Sequence, residues 1–350
     1  MRSSKRTPNT SSICHQFTMS GSIPEIVLFT YPGSPWGNKV VSYLNVRGIK
    51  YTECRQPPVM PRPDLEALGI NYRRIPVLAI GRDVYFDTRL ILEKLEQMIP
   101  GVTLGATDAQ GCAFEKLFRD WAELSLFSSA VLTMPPELPV FQNETFMKDR
   151  SGLTGRSFTA KDQAKRRPAA LVEMRTHFEL LEDLLSDGRK WLSGSEKIRL
   201  VDIHAAFPID WLLGMPNALP AEFFGPDLYP RTAEFMKRYQ ETDKAAARAN
   251  SVKKSRGQEA VATILGSEFA DDAKGVNKDP LELVEGQTVR VFRTDDASSA
   301  RHHFDTGKLV TLNLQEVVIS RSAGPSNTEI RLHHPRWKSG VAAFREAQLS

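Results

Sequence analysis

An apolar run that stops at a proline-flanked serine is the feature that most limits how this chain can fold. Ile26–Thr30 is apolar, β-prone and short enough to be a buried strand. A Pro-Gly pair interrupts the run, and Ser34 then stands at the position of a helix cap, with Pro35 as the first helical residue. Apolar residues recur at helical spacing as far as Val46. The sequence therefore predicts a strand and a helix that are joined at Ser34.

The residues that follow predict a small α/β domain. In chain order they suggest a strand at Tyr51–Cys54, a helical turn at Asp64–Gly69, a hairpin of Val77–Ile80 with Asp83–Phe86, and a helix at Leu90–Ile99. The resulting order is β-α-β-α-β-β-α, which is typical of a mixed sheet covered by helices.

Three motifs in this stretch resemble the thioredoxin-like half of a cytosolic glutathione S-transferase. Ser34-Pro35-Trp36 resembles the Ser-Pro-aromatic signature of the serine-type transferases. The segment that begins at Ile75-Pro76 resembles the one that carries the family's cis-proline. The five residues that begin at Asp87 resemble the motif that opens the family's third helix. The resemblance extends over residues 25–245 and implies a glutathione site.

The resemblance implies that Ser34 is the catalytic residue and that it donates a hydrogen bond to the sulfur of glutathione. A free thiol has a pKa of about 8.5, so only a few per cent is ionised at neutral pH. A hydroxyl donor beside the positive end of a helix favours the thiolate. The alternative is that Ser34 only caps the helix. Because the nearest downstream cysteine, Cys54, falls in the second strand, disulfide exchange is disfavoured.

The same resemblance assigns residues to two other parts of glutathione. Ile75, together with Pro76 and Val77, is expected to pair its backbone with the cysteinyl part. Arg74 is expected to meet the glycyl carboxylate, and its neighbour Arg73 is expected to face solvent. An ordinary trans proline that starts a strand is the alternative interpretation of Pro76.

Asp87 and Thr88 are expected to hold the γ-glutamyl end. The ammonium group of that end favours a carboxylate, and its carboxylate favours a hydroxyl and the N–H groups of a helix N-terminus. Asp is one methylene shorter than the Glu of the family motif, and a simple helix cap is the alternative. The second substrate, a hydrophobic electrophile, is expected to lie over Trp36 and near Trp121.

A helical region follows, which resembles the all-helical domain of the transferases. It includes a strong helix at Ala170–Leu185 and a segment at Val201–Phe207 that resembles the family's buried core helix. Arg199 stands where Ser or Thr is expected at the cap, so this helix needs Asp202 alone or another cap. Thr133–Arg156 contains several prolines and glycines and is predicted to be a long loop.

The C-terminal quarter differs from the preceding regions in its sequence pattern. Short strand-like runs at Val289–Phe292, Lys308–Leu312, Glu316–Ser320 and Glu329–Leu332 are separated by Gly, Asp, Asn and Ser clusters. They predict a small β-rich domain, of a size that suits a barrel. It resembles a C-terminal extension found in a group of fungal transferase-like proteins, and this resemblance implies its presence without assigning it a function.

The amino-acid composition disfavours several classes of function. The net charge of +4 and the absence of a basic stripe do not favour nucleic acid, and no apolar run is long enough for a membrane span. Three widely spaced cysteines favour reduced thiols and a cytoplasmic location. Two histidine doublets, His302-His303 and His333-His334, are not expected to bind metal, because neighbours on a strand point to opposite faces. His204, in the core helix, is expected to be a satisfied interior histidine.

The basic, Ser-rich segment at residues 1–22 is predicted to be a disordered leader, with a mitochondrial transit peptide or an alternative start at Met19 as other interpretations.

The predicted fold class is multi-domain. It comprises a thioredoxin-like α/β N-terminal domain at residues 23–101, an all-α transferase-type domain at 108–265 and a small β-rich C-terminal domain at 275–350. The predicted function is a glutathione transferase, with glutathione as co-substrate, no metal and a possible homodimer by resemblance. The alternatives are a glutathione-dependent isomerase or lyase of a secondary metabolite, and a catalytically silent binding or scaffold protein.

Overall fold

A computed structural model describes residues 24–344, and the predicted leader lies outside the described residues. The first region has the predicted α/β order. Its elements are β1 (Ile26–Thr30), α1 (Pro35–Val46), β2 (Thr52–Arg55), α2 (Pro63–Ala67), β3 (Val77–Ile80), β4 (Asp83–Phe86) and α3 (Thr88–Met98). β1 pairs parallel with β2 and antiparallel with β3, which in turn forms the predicted hairpin with β4. The thioredoxin-like arrangement is therefore confirmed.

A helical region covers one face of this sheet. Its elements are α4 (Ala109–Trp121), a π-helical turn (Ala122–Leu126), α5 (Phe127–Thr133), α6 (Glu144–Thr154), α7 (Ala160–Leu184), α8 (Leu200–Leu213), α9 (Ala221–Phe224) and α10 (Pro230–Ala249). Within residues 24–344, no helix is long and apolar enough to cross a lipid bilayer.

The prediction of a long loop at Thr133–Arg156 is wrong, because most of this segment is α6 and a short 3-10 turn. Asn143 caps α6 by accepting a hydrogen bond from the N–H of Phe146, at 3.0 Å. Gly155 ends the helix with a φ of 69°. The Pro and Gly residues thus mark the ends of a helix rather than a structureless segment.

Asp202 caps the core helix α8. Its Oδ2 accepts a hydrogen bond from the N–H of Arg199 at 2.7 Å, and its Oδ1 accepts one from the N–H of Leu192 at 2.7 Å. The carboxylate therefore satisfies two backbone donors without a Ser or Thr at the cap.

The C-terminal region is β-rich, as predicted. Its elements are β5 (Lys253–Ser255), α11 (Gly257–Leu265), β6 (Gly275–Val276), β7 (Thr288–Arg293), α12 (Ser299–His302), β8 (Asp305–Leu312), β9 (Glu316–Ala323), β10 (Thr328–Pro335) and β11 (Ser339–Ala343). The four strands predicted from the sequence lie inside β7, β8, β9 and β10.

The C-terminal strands do not form a separate barrel within the described range. β10 pairs parallel with β4, with Leu332 opposite Val84, so that the strands of both regions form one 11-stranded sheet. β5 extends the other edge by pairing with β2. Both strands that would otherwise be open edges of the α/β sheet are thus covered from within the chain. The division into domains at residues 265 and 275 stays a prediction.

Two hydrophobic cores lie on opposite faces of the sheet. Alternate residues of β1 separate between them, since Leu28 packs with the helical region and Phe29 with α2, α11 and the C-terminal strands. The second core includes side chains from both halves of the sheet, such as Val84 and Ile319. The α/β region and the C-terminal region therefore share one core.

Candidate functional site

A cleft of about 1490 Å³ lies where the three regions meet. One end is polar and is formed by the turn before α1, the starts of β3 and α3, and two turns of the C-terminal region. The other end is formed mainly by α5, α6 and the residues around them, and it is mostly apolar but also lined by Arg150, Arg156 and Arg166. Apolar side chains at this end include Phe127, Val131, Leu138, Phe146, Phe158 and Met215.

Ser34 lies in the wall of this cleft, directly before α1, and is 2% exposed. Its Oγ accepts a hydrogen bond from the backbone N–H of Gly37 at 3.1 Å, as a helix cap does. This bond uses a lone pair of the oxygen, so the hydroxyl proton is still available for donation. No acceptor for that proton lies among residues 24–344. The serine is therefore both a cap and a free donor at the positive end of α1.

Gly37 allows α1 to begin close to β1. A Cβ at this position would lie 2.0 Å from Oγ1 of Thr30 and 3.2 Å from the Ser34 side chain. Any larger residue would push the start of α1 away from the sheet. The glycine thus fixes where Ser34 lies.

The Ile75–Pro76 peptide bond is cis, and both residues line the cleft. Val77 is fully buried and pairs in the sheet with Phe29 and Phe86. Of the three residues predicted here, Ile75 and Pro76 are thus at the cleft and Val77 anchors them to β3.

Asp87 and Thr88 line the polar end of the cleft at the N-terminus of α3. Asp87 has a φ of 71°, which is uncommon for a residue other than glycine. Its Oδ1 accepts a hydrogen bond from the N–H of Arg89 at 3.0 Å, and its Oδ2 lies 3.4 Å from Nη1 of Arg293. Burial would raise the pKa of Asp87, but Arg293 and the Arg89 N–H lower it below its ordinary value. The carboxylate is therefore held ionised.

Thr88 has a hydroxyl without a described partner at this end of the cleft. It is 2% exposed, and its Oγ1 has no hydrogen-bond partner among the described residues. A buried hydroxyl without a partner is unfavourable unless a ligand or water supplies one.

The two neighbouring arginines differ in how they compare with the prediction. Arg74 lies at the cleft, and its Nη2 is 2.7 Å from Asp295 and 2.9 Å from Asp296. Arg73 was expected to face solvent, and this is wrong because the residue is buried. It donates to Ser298 at 2.6 Å and pairs with an acid of α6 at 3.0 Å.

Of the two tryptophans predicted to contact a second substrate, Trp36 lies at the cleft and Trp121 does not. Trp36 lines the cleft, and its ring lies 4.7 Å from that of Phe127 and 5.0 Å from that of Phe207. The residues that line the cleft within 24–344 do not include Trp121, whose indole N–H donates to His177 at 3.1 Å. A substrate contact by Trp121 is therefore not supported by the geometry.

The π-helical turn at the cleft holds a buried ion pair. Lys39 is 0% exposed, and its Nζ lies 2.8 Å from Glu123, which also pairs with Arg89 at 3.1 Å. Burial lowers the pKa of Lys39. Glu123 lines the cleft, and its charge is balanced by these two cations.

Sequence reasoning missed the residues that the C-terminal region contributes to the cleft. These are Arg293 at the end of β7, Asp295 and Asp296 just after it, and Trp337 and Lys338 in the turn before β11. No local motif marks them, because their role depends on the pairing of β10 with β4.

Two family models match the sequence. Residues 28–103 match the model described as "Glutathione S-transferase, N-terminal domain". Residues 129–248 match a model described as a domain of unknown function (DUF7962). No curated protein matched the chain.

A solved structure of a GST-like protein shares the fold of this chain. A GST-like protein from Pseudomonas syringae aligns with a TM-score of 0.69 and 23% identity, over 91% of this chain and 100% of that chain. This coverage extends into the C-terminal β-rich region. A glutathione S-transferase from Rhodospirillum rubrum F11 aligns with a TM-score of 0.49 and 17% identity, over 63% and 91% of the two chains. Rice GST1 in complex with glutathione aligns with a TM-score of 0.48 and 17% identity, over 69% and 96%.

The predicted fold class is thus confirmed, with a thioredoxin-like region, a helical region and a β-rich C-terminal region. The chain has the fold of a GST-like protein, and its residues 28–103 match the model of the glutathione S-transferase N-terminal domain.

Proposed function

We propose that this protein is a glutathione-dependent transferase, in which Ser34 stabilises the glutathione thiolate. The observation that carries the proposal is the convergence of three motifs in one cleft. Ser34, the Ile75–Pro76 pair and the Asp87–Thr88 pair are far apart in the sequence, and all of them line the same cleft. An apolar wall lies opposite, as expected for a site that joins a polar co-substrate to a hydrophobic one.

The chemistry follows from the state of the thiol. The free proton of Ser34 can be donated to the sulfur, and the N-terminus of α1 adds positive potential at the same place. Both effects stabilise the thiolate and lower the pKa of the bound thiol below about 8.5. Ser34 forms no covalent bond. The sulfur forms a bond to the electrophilic carbon, and a leaving group departs with the bonding electrons, or a proton is taken up after addition.

The polar end offers partners for the rest of glutathione. The γ-glutamyl carboxylate can accept from Oγ1 of Thr88, which has no described partner, and the ammonium can pair with Asp87. The backbone of Ile75 is at the cleft for the cysteinyl part. Arg74 has five N–H donors, three of which are occupied by Asp295 and Asp296. The other two remain for the glycyl carboxylate.

The second substrate is assigned to the apolar end, next to the sulfur position. Trp36 and Phe127 line the cleft with their rings 4.7 Å apart and would face a hydrophobic electrophile. An isomerase or lyase acting on a secondary metabolite would use the same groups, so the choice between transfer and isomerisation depends on the substrate. A homodimer and a cytoplasmic location remain predictions.

The decisive measurement is the ultraviolet absorbance of glutathione bound to the protein, titrated with pH. In the parent we expect thiolate absorbance with a midpoint clearly below about 8.5. In Ser34→Ala we expect the midpoint to move back toward that value, and kcat/KM with electrophiles to fall by about 10²-fold or more.

Ser128→Ala is the matched control, because Ser128 also lines the cleft but its hydroxyl already donates to Leu124 at 2.8 Å. This variant should titrate like the parent. An unshifted thiol in the parent would show that Ser34 is only a helix cap. Glutathione binding without turnover of any electrophile would favour the silent binding protein instead.

A further inference from the structure

A chain of alternating charges joins the two ends of the proposed glutathione subsite. Oδ2 of Asp87 lies 3.4 Å from Nη1 of Arg293. Arg293 makes two contacts of 3.1 Å with the carboxylate of Asp295. Asp295 in turn lies 2.7 Å from Nη2 of Arg74. Asp87 and Arg74 are the charged residues assigned to opposite ends of glutathione, and the two residues between them belong to the C-terminal region.

Arg293 is fixed by its surroundings. It is 3% exposed, and its Nη1 also donates to the carbonyl of Trp337 at 2.9 Å. A buried guanidinium needs paired acceptors, and these bonds leave it a single geometry. The side chain therefore forms a rigid bridge between Asp87 and Asp295 rather than a mobile surface charge.

The other end of the chain is fixed as well. Asp296 accepts hydrogen bonds from the N–H groups of Ser298 and Ser299, at 3.0 and 2.7 Å. It also lies 2.9 Å from Nη2 of Arg74. Arg74 is thus held by two neighbouring carboxylates, one of which is anchored to the backbone at the start of α12.

We propose that the C-terminal β-rich region forms part of the glutathione subsite. Its residues Arg293 and Asp295 position the ligand-contacting residues Asp87 and Arg74. The inference rests on the proposed function. It makes Arg293 and Asp295 positioning residues, because they act through groups that touch the ligand. Such supporting shells determine affinity by holding the contacting groups in place before the ligand arrives.

The short side chain of Asp87 explains why this support is needed. Because Asp87 reaches less far than a Glu would, its carboxylate must be held in one position to contact the ammonium. Arg293 holds one oxygen and the Arg89 N–H holds the other. Each carboxylate oxygen has two acceptor sites, so the ammonium of glutathione can still bind.

Calorimetric titration of the full chain tests the proposal with three ligands. These are glutathione, γ-glutamylcysteine, which lacks the glycine, and glutaryl-cysteinylglycine, which lacks the α-amino group. In Arg293→Gln we expect glutathione to bind about tenfold or more weakly, because a charged contact is misplaced. The loss should be much smaller for glutaryl-cysteinylglycine, which makes no ammonium contact with Asp87. Arg293→Lys should restore part of the affinity.

Asp295→Asn is the second variant, and it tests the other end. We expect its loss of affinity to be larger for glutathione than for γ-glutamylcysteine, because only glutathione has the glycyl carboxylate that Arg74 would bind. Arg290→Gln is the matched control, since Arg290 lies on the same strand and is not among the described residues that line the cleft. It should bind all three ligands like the parent.

The outcomes separate the inference from the function. Ligand-selective losses support the positioning role. Equal losses for all three ligands, or affinities like those of the parent in Arg293→Gln and Asp295→Asn, would overturn it while leaving the proposed function intact. No binding of glutathione by the parent would overturn both.

Discussion

At the scale of single residues, the buried hydroxyl of Thr88 gives the sharpest test of the polar subsite. Because Oγ1 has no described partner, Thr88→Val removes an unsatisfied group and keeps the side-chain shape. We expect the free energy of unfolding to stay within about 1 kcal/mol of the parent or to rise. Affinity for glutathione should fall by about tenfold, because the γ-glutamyl carboxylate loses a donor. Denaturant titration and calorimetry measure the two quantities.

Thr30 provides the matched control for this substitution. Its Oγ1 is also buried without a described partner, but it lies under α1 and not in the cleft. Thr30→Val should leave glutathione affinity unchanged. If Thr88→Val bound glutathione as the parent does, Thr88 would be a structural residue and the γ-glutamyl assignment would fail.

At the scale of elements, a buried charge cluster joins β10 to β4. The ring nitrogens of His333 lie 2.9 Å from Asp83 and 2.9 Å from Glu316. Nζ of Lys94 lies 2.6 Å from Glu316 and 2.6 Å from Asp271. Asp271, Glu316 and His333 are close enough together for a metal site, but the ammonium of Lys94 already contacts both acids. His334, on the opposite face, stacks near Phe86, in line with strand alternation.

The pH dependence of stability should report this cluster. Burial alone would lower the pKa of His333, but its bonds to Asp83 and Glu316 raise it to about 9. Since the ordinary value is about 6.5, the stabilisation from the charged ring is full below that pH. It is lost as the pH rises through about 9. We therefore expect the difference in unfolding free energy between the parent and His333→Gln to shrink between pH 7 and 10.

His302→Gln is the control for this titration, because His302 is exposed on α12. The difference between its unfolding free energy and that of the parent should be small and constant over the same pH range. A constant difference for His333→Gln as well would show that the ring is not charged in the folded protein.

At the scale of the whole molecule, the continuous sheet couples the stability of the α/β region to that of the C-terminal region. Leu332 is fully buried and lies between Val84 of β4 and Ile319 of β9. We expect Leu332→Ala to lower the free energy of unfolding by about 2–5 kcal/mol. Amide hydrogen exchange should accelerate in β4 and β9 together, because both strands pack against this side chain.

Val341→Ala serves as the control at the far edge of the sheet, where β11 pairs only with β7 among the described strands. Exchange should accelerate there in β7 and β11 and stay slow in β4. Faster exchange in β9 alone after Leu332→Ala would mean that the two regions open independently.

Local chemistry made much of the α/β region predictable. The apolar run of β1, the cap at Ser34, the glycine between β3 and β4 and the acid before α3 each specify a short element through neighbouring residues. The same holds for the strands of the C-terminal region. Local patterns predicted a loop instead of a helix between α5 and α7, because the Pro and Gly residues of this segment border α6 and so resemble those of a loop.

The sequence by itself determined most of the elements, their order and the positions of the serine, proline and α3 motifs, because each depends on residues within one turn or strand. Only the tertiary structure decided that β10 pairs with β4 and that Arg293 and Asp295 reach the cleft. These contacts join residues about 200 to 250 positions apart, and their pairing depends on which sheet edge is open and which charges need partners. No local pattern encodes such a choice, because it is made between surfaces that exist only after each region has folded.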